Sequence, residues 1–493
     1  MNSERGDSQE VDEAVVGEDQ VPTPEERQDF RFGEICEDFV EYLESVSDLL
    51  DELAPHVEHL DNRARDVETI LSSSEHTFSL DDMGEIEAFF DKHLFVEKPK
   101  PVGALVGVLY ASYQDKSWQP GLVYLLYKQV TYKPKLTILN NSQITMIISG
   151  LESVLGELTT HYFRVAPQAL EAGREREKEF SLGDLKKLGS IEDAVEAAIA
   201  SRVDGLLHGS IAGWRKFYKD RLNIDFTDLA IDWSTAEEVF ERRHAIIHNG
   251  GRATKKYLNV TKRTDIVVDQ PLISDADYVR SAIDQLLVLG FSLAISVWRK
   301  LAHSKDRPDG ILLDVSYKML VRRRWAAAKQ LCSHGLEHAS TAENAHLYRV
   351  NLWLARRGLG DAQAVFKEVE NWDVSALKVD FQLAKACLSE DYDTAFELLP
   401  EMVKSDRVSG DDLLRWPLLE GMRADARFST FAGAIEASLS GADLVYHLPG
   451  GKVYHLTSCA SRGAGARLVP LEEATESGAR PCKTCHGREK DAA

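Results

Sequence analysis

Apolar residues recur at intervals of three and four along almost the whole chain, and that spacing confines it to a mainly helical fold. From Phe32 to about Leu71, one stripe runs through Ile35, Phe39, Leu43, Val46, Leu50 and Leu53. Pro55 is expected to break this surface helix, with Val57, Leu60, Val67 and Ile70 forming a second half. Ser79 with Asp82 predicts a short helix through Phe90. A long helix is expected near Asn140 and Asn141, carrying Ile144, Ile147, Leu151, Leu155 and Leu158. Others follow at Ile191–Leu207 and, after an acidic cap at Asp275, through Leu301. Ile266-Val267-Val268 is the candidate strand of this region.

At 493 residues the chain exceeds one ordinary core, so several domains are expected. The boundaries fall at an acidic, disordered tail over 1–30, a helical segment over 31–97, an all-helical domain over 98–315, a helical-hairpin array over 316–436 and a small module over 440–490. Residues 1–30 hold ten carboxylates against two arginines. Residues 167–192 read as a polar surface excursion. No apolar run reaches the length of a spanning helix, and the polar start Met1-Asn2-Ser3-Glu4-Arg5 does not suit a signal peptide. Cys36, Cys332 and Cys387 stand alone, as buried thiols in a reducing compartment would. The cytoplasm is therefore the expected location, with no membrane partner. A net charge of −22 argues against coating duplex DNA, yet leaves room for a small basic site facing one RNA strand.

Within the array, Leu354-Ala355-Arg356-Arg357 leads to Ala364-Val365-Phe366, and Leu383-Ala384-Lys385-Ala386 leads to Thr394-Ala395-Phe396. An offset of about 30 residues with small residues at the helix contacts suits stacked hairpins. One more helix is expected from Tyr317 to Cys332. The array resembles tetratricopeptide-type repeats, with a shorter period than theirs, and such an array implies a protein or peptide partner.

The C-terminus carries a different signal. Leu444-Val445-Tyr446-His447 and Lys452-Val453-Tyr454-His455 flank Pro449-Gly450-Gly451, a hairpin pattern and the only β content of consequence expected. His455, Cys459, Cys482 and Cys485 then supply three thiolates and one imidazole, a closed tetrahedral set that favours structural zinc. His447 and His486 are alternative ligands, and a redox-active Cys482–Cys485 pair is the competing reading. Between the ligand pairs, Pro470 to Ser477 reads as a helix closed by Gly478. The arrangement is similar to small zinc modules appended to nucleases and DNA-repair proteins.

The segment with most chemistry is Phe240-Glu241-Arg242-Arg243-His244-Ala245-Ile246-Ile247-His248-Asn249-Gly250-Gly251. Ser234 and Glu237 form a candidate capping box for its helix, and the two glycines suit its left-handed end. Arg243 and His248 are five positions, about 140°, apart around the axis, whereas His244 and His248 share a face. The residues alone leave three readings open: Arg243 as phosphate clamp with His248 moving a proton, a metal held by His244, His248 and Glu241, or a solvated or structural charged face. Arg252, Lys255, Lys256, Lys262 and Arg263 follow as possible backbone contacts.

Arg243 through Gly251 resembles the R-x4-6-H motif of HEPN domains, all-helical modules of RNA-cutting toxins, antiviral effectors and some non-catalytic binding proteins. The resemblance covers roughly 100–315. It implies a homodimer whose Arg243 and His248 line one composite cleft, His244 as the polar residue following the arginine, and Glu152 as a further polar residue on an early helix. It also implies RNA cleavage without a metal, leaving a 2′,3′-cyclic phosphate. A non-catalytic adaptor is the alternative that the same family includes.

Overall fold

Thr23 opens the first helix: its side chain accepts the Glu26 N–H while the Glu26 carboxylate accepts the Thr23 N–H. This box starts α1 (Pro24–Arg65), inside the stretch expected to be an unstructured tail. The computed structural model describes residues 23–72, 78–96, 100–114, 116–170, 187–229, 231–302, 304, 306–405, 408, 410–439, 444–448, 451–456 and 466–483. It is predominantly helical, with a small C-terminal sheet. Most of the expected acidic tail and most of the 167–192 excursion lie outside the described residues.

Two cores divide the N-terminal half. α2 (Val67–Ser72), α3 (Leu80–His93), α4 (Val102–Ser112) and α5 (Gln119–Val130) close on Ile86, Phe89, Phe90, Leu105, Leu109, Trp118 and Leu122. Ser79 caps α3 with Asp82 in a capping box, as its sequence predicts. The main bundle is built on α1, α6 (Lys135–Val165), α7 (Ile191–Leu207), α8 (Ile211–Leu222), α9 (Trp233–Asn249) and α11 (Ala276–Leu301), with α10 (Lys255–Thr261) packed on α9 over a small core of its own. Asp275 caps α11 by accepting the Tyr278 N–H at 2.7 Å. α11 is long and apolar enough to cross a membrane, and 83% of that window is buried among the other helices. It is the central core helix.

α1 is not a surface helix. Phe32, Ile35, Phe39, Leu43, Val46 and Leu50 are all buried against α6 and α11. The helices cross closely at Gly150, where a Cβ would come within 2.4 Å of the Tyr42 ring, and at Gly290, where it would come within 2.5 Å of the Phe39 ring and 2.9 Å of Leu151. Pro55 fails to end the helix because both halves are held. Beyond it, Asp61 accepts the N–H groups of Lys135 and Leu136 at 2.9 and 2.8 Å, and the Tyr132 hydroxyl. Asp61 thereby caps α6 from another helix, supplying what Pro134 lacks. Burial pushes its carboxyl up, but these hydrogen bonds outweigh burial and hold it below the ordinary carboxylate range.

The array begins at α12 (Asp306–Val321) and continues as α13 (Trp325–Glu337), α14 (Ala342–Gly358), α15 (Ala362–Glu370), α16 (Val379–Leu388) and α17 (Tyr392–Lys404). The helix expected over Tyr317–Cys332 is therefore two helices, parted at Arg323 with φ 56°. Arg323, Gly360 and Glu390 each take a left-handed turn, so three hairpins stack in sequence. α18 (Gly410–Arg415), α19 (Glu420–Ala424) and α20 (Phe428–Leu439) end the array, and α20 packs on the terminal sheet. The apolar interior of the bundle continues into the array as one cluster.

The sheet is larger than a hairpin. β1 (Leu444–His447), β2 (Val453–His455), β3 (Arg467–Pro470) and β4 (Arg480–Pro481) take the order β3-β1-β2-β4. β1 pairs antiparallel with β2 and β3, while β2 and β4 are parallel. α21 (Leu471–Glu476) follows β3 directly, with Pro470 as its cap residue and Gly478 at φ 81° beyond it.

Candidate functional site

Asp232, rather than Ser234, starts the motif helix. Its carboxylate accepts the Thr235 N–H at 3.3 Å and the Thr235 hydroxyl at 2.7 Å, so α9 begins at Trp233 and the expected Ser234–Glu237 box is not its cap. A carboxylate at this end gains both donors and the favourable helix dipole. At the other end Gly250 and Gly251 take φ 60° and 71°, and the Gly251 N–H donates to Ala245 O at 3.0 Å. Left-handed geometry is what the two glycines supply there.

The chain after α9 is tied back to it. Leu272 N–H donates to Gly251 O at 2.8 Å and Ala253 N–H to Gln270 O at 2.9 Å, while Arg252 and Pro271 form an isolated bridge. Ile266-Val267-Val268, the expected strand, is a loop with exposed valines, because the pairing partner of this return is 251–253. Ala245, Ala253, Tyr257 and Leu272 close a small core beneath it.

Arg242 and Arg243 have opposite surroundings. The Arg242 side chain is 5% exposed and donates from Nε to Glu238 at 2.8 Å, across one helical turn. Its Nη1 donates to Ile273 O at 2.7 Å, and its guanidinium lies 4.0 Å from the Tyr278 ring centre. Glu238 also accepts the hydroxyls of Tyr257 and Tyr278. Burial, reinforced by the Glu238 charge, pushes the Tyr278 hydroxyl well above the usual range. This network is a complete structural use for one arginine.

Arg243 is half-buried, its Nε is enclosed, and among the described residues it has neither an ion pair nor a hydrogen-bond partner. Five residues on, His248 is exposed, and its ring sits 4.7 Å from that of half-buried His244. The Asn141 amide on α6 lies against Gly251, 3.9 Å from where a Cβ would stand. Asn140 donates to Ser274 O at 2.7 Å, and the amide oxygens of Asn140, Asn141 and Gln143 are buried without partners. Glu152 lies eleven residues, about 16 Å, further along α6 than Asn141 and is half-buried. Among the described residues no hydrogen bond or ion pair joins it to Arg243 or His248.

The basic cluster beyond the motif is largely neutralised. Lys256 pairs with Glu241 at 2.9 Å, Arg252 with Asp269 at 3.9 Å and Arg263 with Asp265 at 2.5 Å. Among the described residues Lys255 and Lys262 stand without ion pairs. Glu241 is thus held by Lys256 and does not gather with His244 and His248. Among the described residues, no group of three or more His, Cys, Asp or Glu is placed to hold a metal ion.

Of the four expected zinc ligands, His455 and Cys482 are described, while Cys459 and Cys485, like the alternative His486, lie outside the described residues. The strand register brings the described pair together. Tyr454 is paired with Pro481, and the Cys482 N–H donates to Tyr454 O at 2.8 Å, so His455 and Cys482 are next in line on adjacent strands. His447, the other alternative, is buried with its Nε2–H on Gly451 O at 2.8 Å, where it closes the β1–β2 turn. Comparison with family models, curated proteins and solved structures gave no match.

Proposed function

We propose that this protein is an endoribonuclease whose site is assembled from two copies of α9, as its HEPN-like motif implies. The observation that carries the reading is Arg243, half-buried with an enclosed Nε and without a partner among the described residues, on the same helix as the adjoining His244 and His248 rings. Arg242 already meets the structural need next to it. In the proposed reaction His248 takes the proton of a ribose 2′-hydroxyl, whose oxygen attacks the adjoining phosphorus. Arg243 pairs with the non-bridging oxygens as charge builds. The departing 5′-oxygen takes a proton from a histidine of the pair, leaving a 2′,3′-cyclic phosphate and a 5′-hydroxyl. Glu152 and the Asn141 amide are candidate positioning groups on α6. Such chemistry fits a toxin or antiviral setting in the cytoplasm.

The C-terminal sheet is proposed as a structural zinc module, with His455, Cys459, Cys482 and Cys485 holding one ion. The β2–β4 register supports it, since two of the four ligands are brought onto neighbouring strands by backbone pairing alone. Zinc bound by a closed set stabilises a fold too small for its own core.

One observation favours the adaptor alternative: three of the five basic residues after the motif are paired with acids, which weakens the field that would draw in RNA. The test is cleavage of a mixed RNA pool by the full chain. Arg243→Ala and His248→Ala should each abolish it, matched DNA should survive for want of the 2′-hydroxyl, and chelator should leave it unchanged. A folded, dimeric wild type that leaves all RNA intact would move the assignment to the adaptor.

A further inference from the structure

Residues 116–151 hold no aspartate or glutamate, although the chain has 80 of them. The stretch covers α5 and the first half of α6. On α5, Leu122, Leu125 and Leu126 are buried in the smaller N-terminal core. Tyr124, Tyr127 and Lys128 stand at i, i+3 and i+4 on the opposite face. Tyr124 is 60% exposed and Tyr127 58%, so two phenol rings on adjacent turns face water.

Cations are set against the tyrosines of this stretch at short distances. Lys128 Nζ lies 4.8 Å from the centre of the Tyr124 ring. Lys135 Nζ lies 4.9 Å from that of Tyr132 and donates to its hydroxyl at 2.9 Å. Lys133 is exposed between them in sequence. Among the described residues, Lys128, Lys133 and Lys135 form no ion pair. Asp61, the acid that α1 brings here, is buried and accepts the Lys135 and Leu136 N–H groups and the Tyr132 hydroxyl. The Gln129 amide donates to Ala64 O at 3.0 Å, which sets the exposed Arg63 and Arg65 beside the last turn of α5. Unpaired cations grouped in a chain of net charge −22 suit an anionic occupant.

The face continues onto α6, where Lys135, Ile138 and Ser142 are exposed at i, i+3 and i+7. Asn141, six residues or about 9 Å beyond Lys135, lies against Gly251 at the end of the α9 motif. Exposed aromatic rings alternating with cations are what stacks bases and neutralises phosphates along one strand. A duplex keeps its bases stacked inside and offers these rings nothing, and α5 presents phenols in place of the aliphatic side chains that enter a lipid surface.

We propose that this face binds single-stranded nucleic acid, with bases on Tyr124 and Tyr127 and phosphates at Lys128, Lys133 and Lys135. Binding there does not rest on cleavage. On the ribonuclease reading the same face leads a substrate strand to α9.

The test is fluorescence anisotropy with the full chain carrying Arg243→Ala, so that the probe is not cut. The probes are a labelled oligouridylate and an oligothymidylate of about 12 nucleotides, and a duplex of equal length. A single strand should bind with Kd below about 100 μM at about 50 mM salt. Binding of either strand supports the proposal, and the tighter one identifies the natural source. Tyr124→Ala with Tyr127→Ala should weaken binding about tenfold, while Tyr124→Phe with Tyr127→Phe should keep most of it, because the rings remain. Lys128→Ala with Lys133→Ala should lower the slope of log affinity against log salt by about 1.4, at about 0.7 per phosphate contact. These side chains are exposed, and circular dichroism checks that each variant is folded. No binding up to about 100 μM protein overturns the proposal. So do indifference to the alanine variants, duplex binding as tight as the single strand, and binding to phosphatidylserine vesicles alone. Strand binding by a wild type that cuts nothing would sink the cleavage reading and leave this one standing; cleavage without binding at this face would do the reverse.

Discussion

Arg242 and Arg243 are neighbours in sequence, and the structure gives them roles that one pair of substitutions can separate. Arg242→Ala removes one partner of a buried ion pair whose side chains are 5% and 9% exposed. Stripping a buried charge of its partner costs about 3–5 kcal/mol. The lower end applies here, because the hydroxyls of Tyr257 and Tyr278 remain on Glu238. Arg243→Ala removes no bond and relieves an enclosed, unsatisfied Nε, so its cost should be about 0–1 kcal/mol. Urea unfolding followed by far-ultraviolet circular dichroism reads both, and the same samples enter the RNA cleavage assay. Below its lowered unfolding midpoint Arg242→Ala should still cut RNA, whereas Arg243→Ala should be folded and inactive. Adding Glu238→Gln to an Arg242→Met background should recover part of the loss, since the stranded charge is then gone. Equal destabilisation by the two arginine substitutions would refute the division of roles, and so would an Arg243→Ala protein that still cleaves.

Three further outcomes follow from the geometry. His334 is lowered from its ordinary 6.5 to about 3, so between those values the unfolded chain binds a proton that the folded chain excludes. Its contribution is full above pH 6.5 and is lost as pH falls, by about 1.4 kcal/mol per pH unit; melting temperatures from pH 7.5 to 5.0 should fall more steeply for wild type than for His334→Gln, and parallel curves would contradict it. Asp61→Ala removes the carboxylate that accepts two backbone N–H groups at the start of α6 and should cost about 1–2 kcal/mol in urea unfolding, with a change under about 0.3 kcal/mol ruling out the capping role. Elemental analysis of the full chain under reducing conditions should find close to one zinc, which Cys482→Ser should remove while the helical dichroism persists; a metal content near zero would dispose of the module's ligand set.

How far the sequence could be read depended on how local each cause was. Ile191–Leu207, the Asp275 cap and the Ser79–Asp82 box lie where their spacing puts them, since capping and periodicity act within one or two turns. Pro55 misled because its helix is held from outside, by Asp61 on the α6 terminus and by the buried stripe of the first half. The break at Arg323 was invisible for a related reason. Arg322 pairs with Asp48, Arg323 with Glu420 and Arg324 with Asp284, so three partners from three other elements define a turn that no glycine marks. β3 and β4 are too short to show a period and exist through their pairing with β1 and β2. At the motif, Tyr257 and Tyr278 reach Glu238 from 19 and 40 residues away, farther than any spacing along the helix can show.

The same contrast between local and distant causes bears on why the proposed site calls for a second copy. Five residues of helix turn Arg243 and His248 about 140° apart, and that angle is fixed by backbone geometry. Arg243 is half-buried, while His248 is exposed at the helix end. One phosphodiester cannot be clamped by the first and deprotonated by the second unless another surface closes over the end of α9. The 251–272 return beside that end holds no histidine, and its two guanidiniums, Arg252 and Arg263, are paired with Asp269 and Asp265. A copy of α9 packed across a twofold axis would supply both groups, because symmetry sets each exposed His248 against the partner's motif. On the proposed reading, cleavage therefore calls for a dimer, in which Arg243 would be half of a shared site.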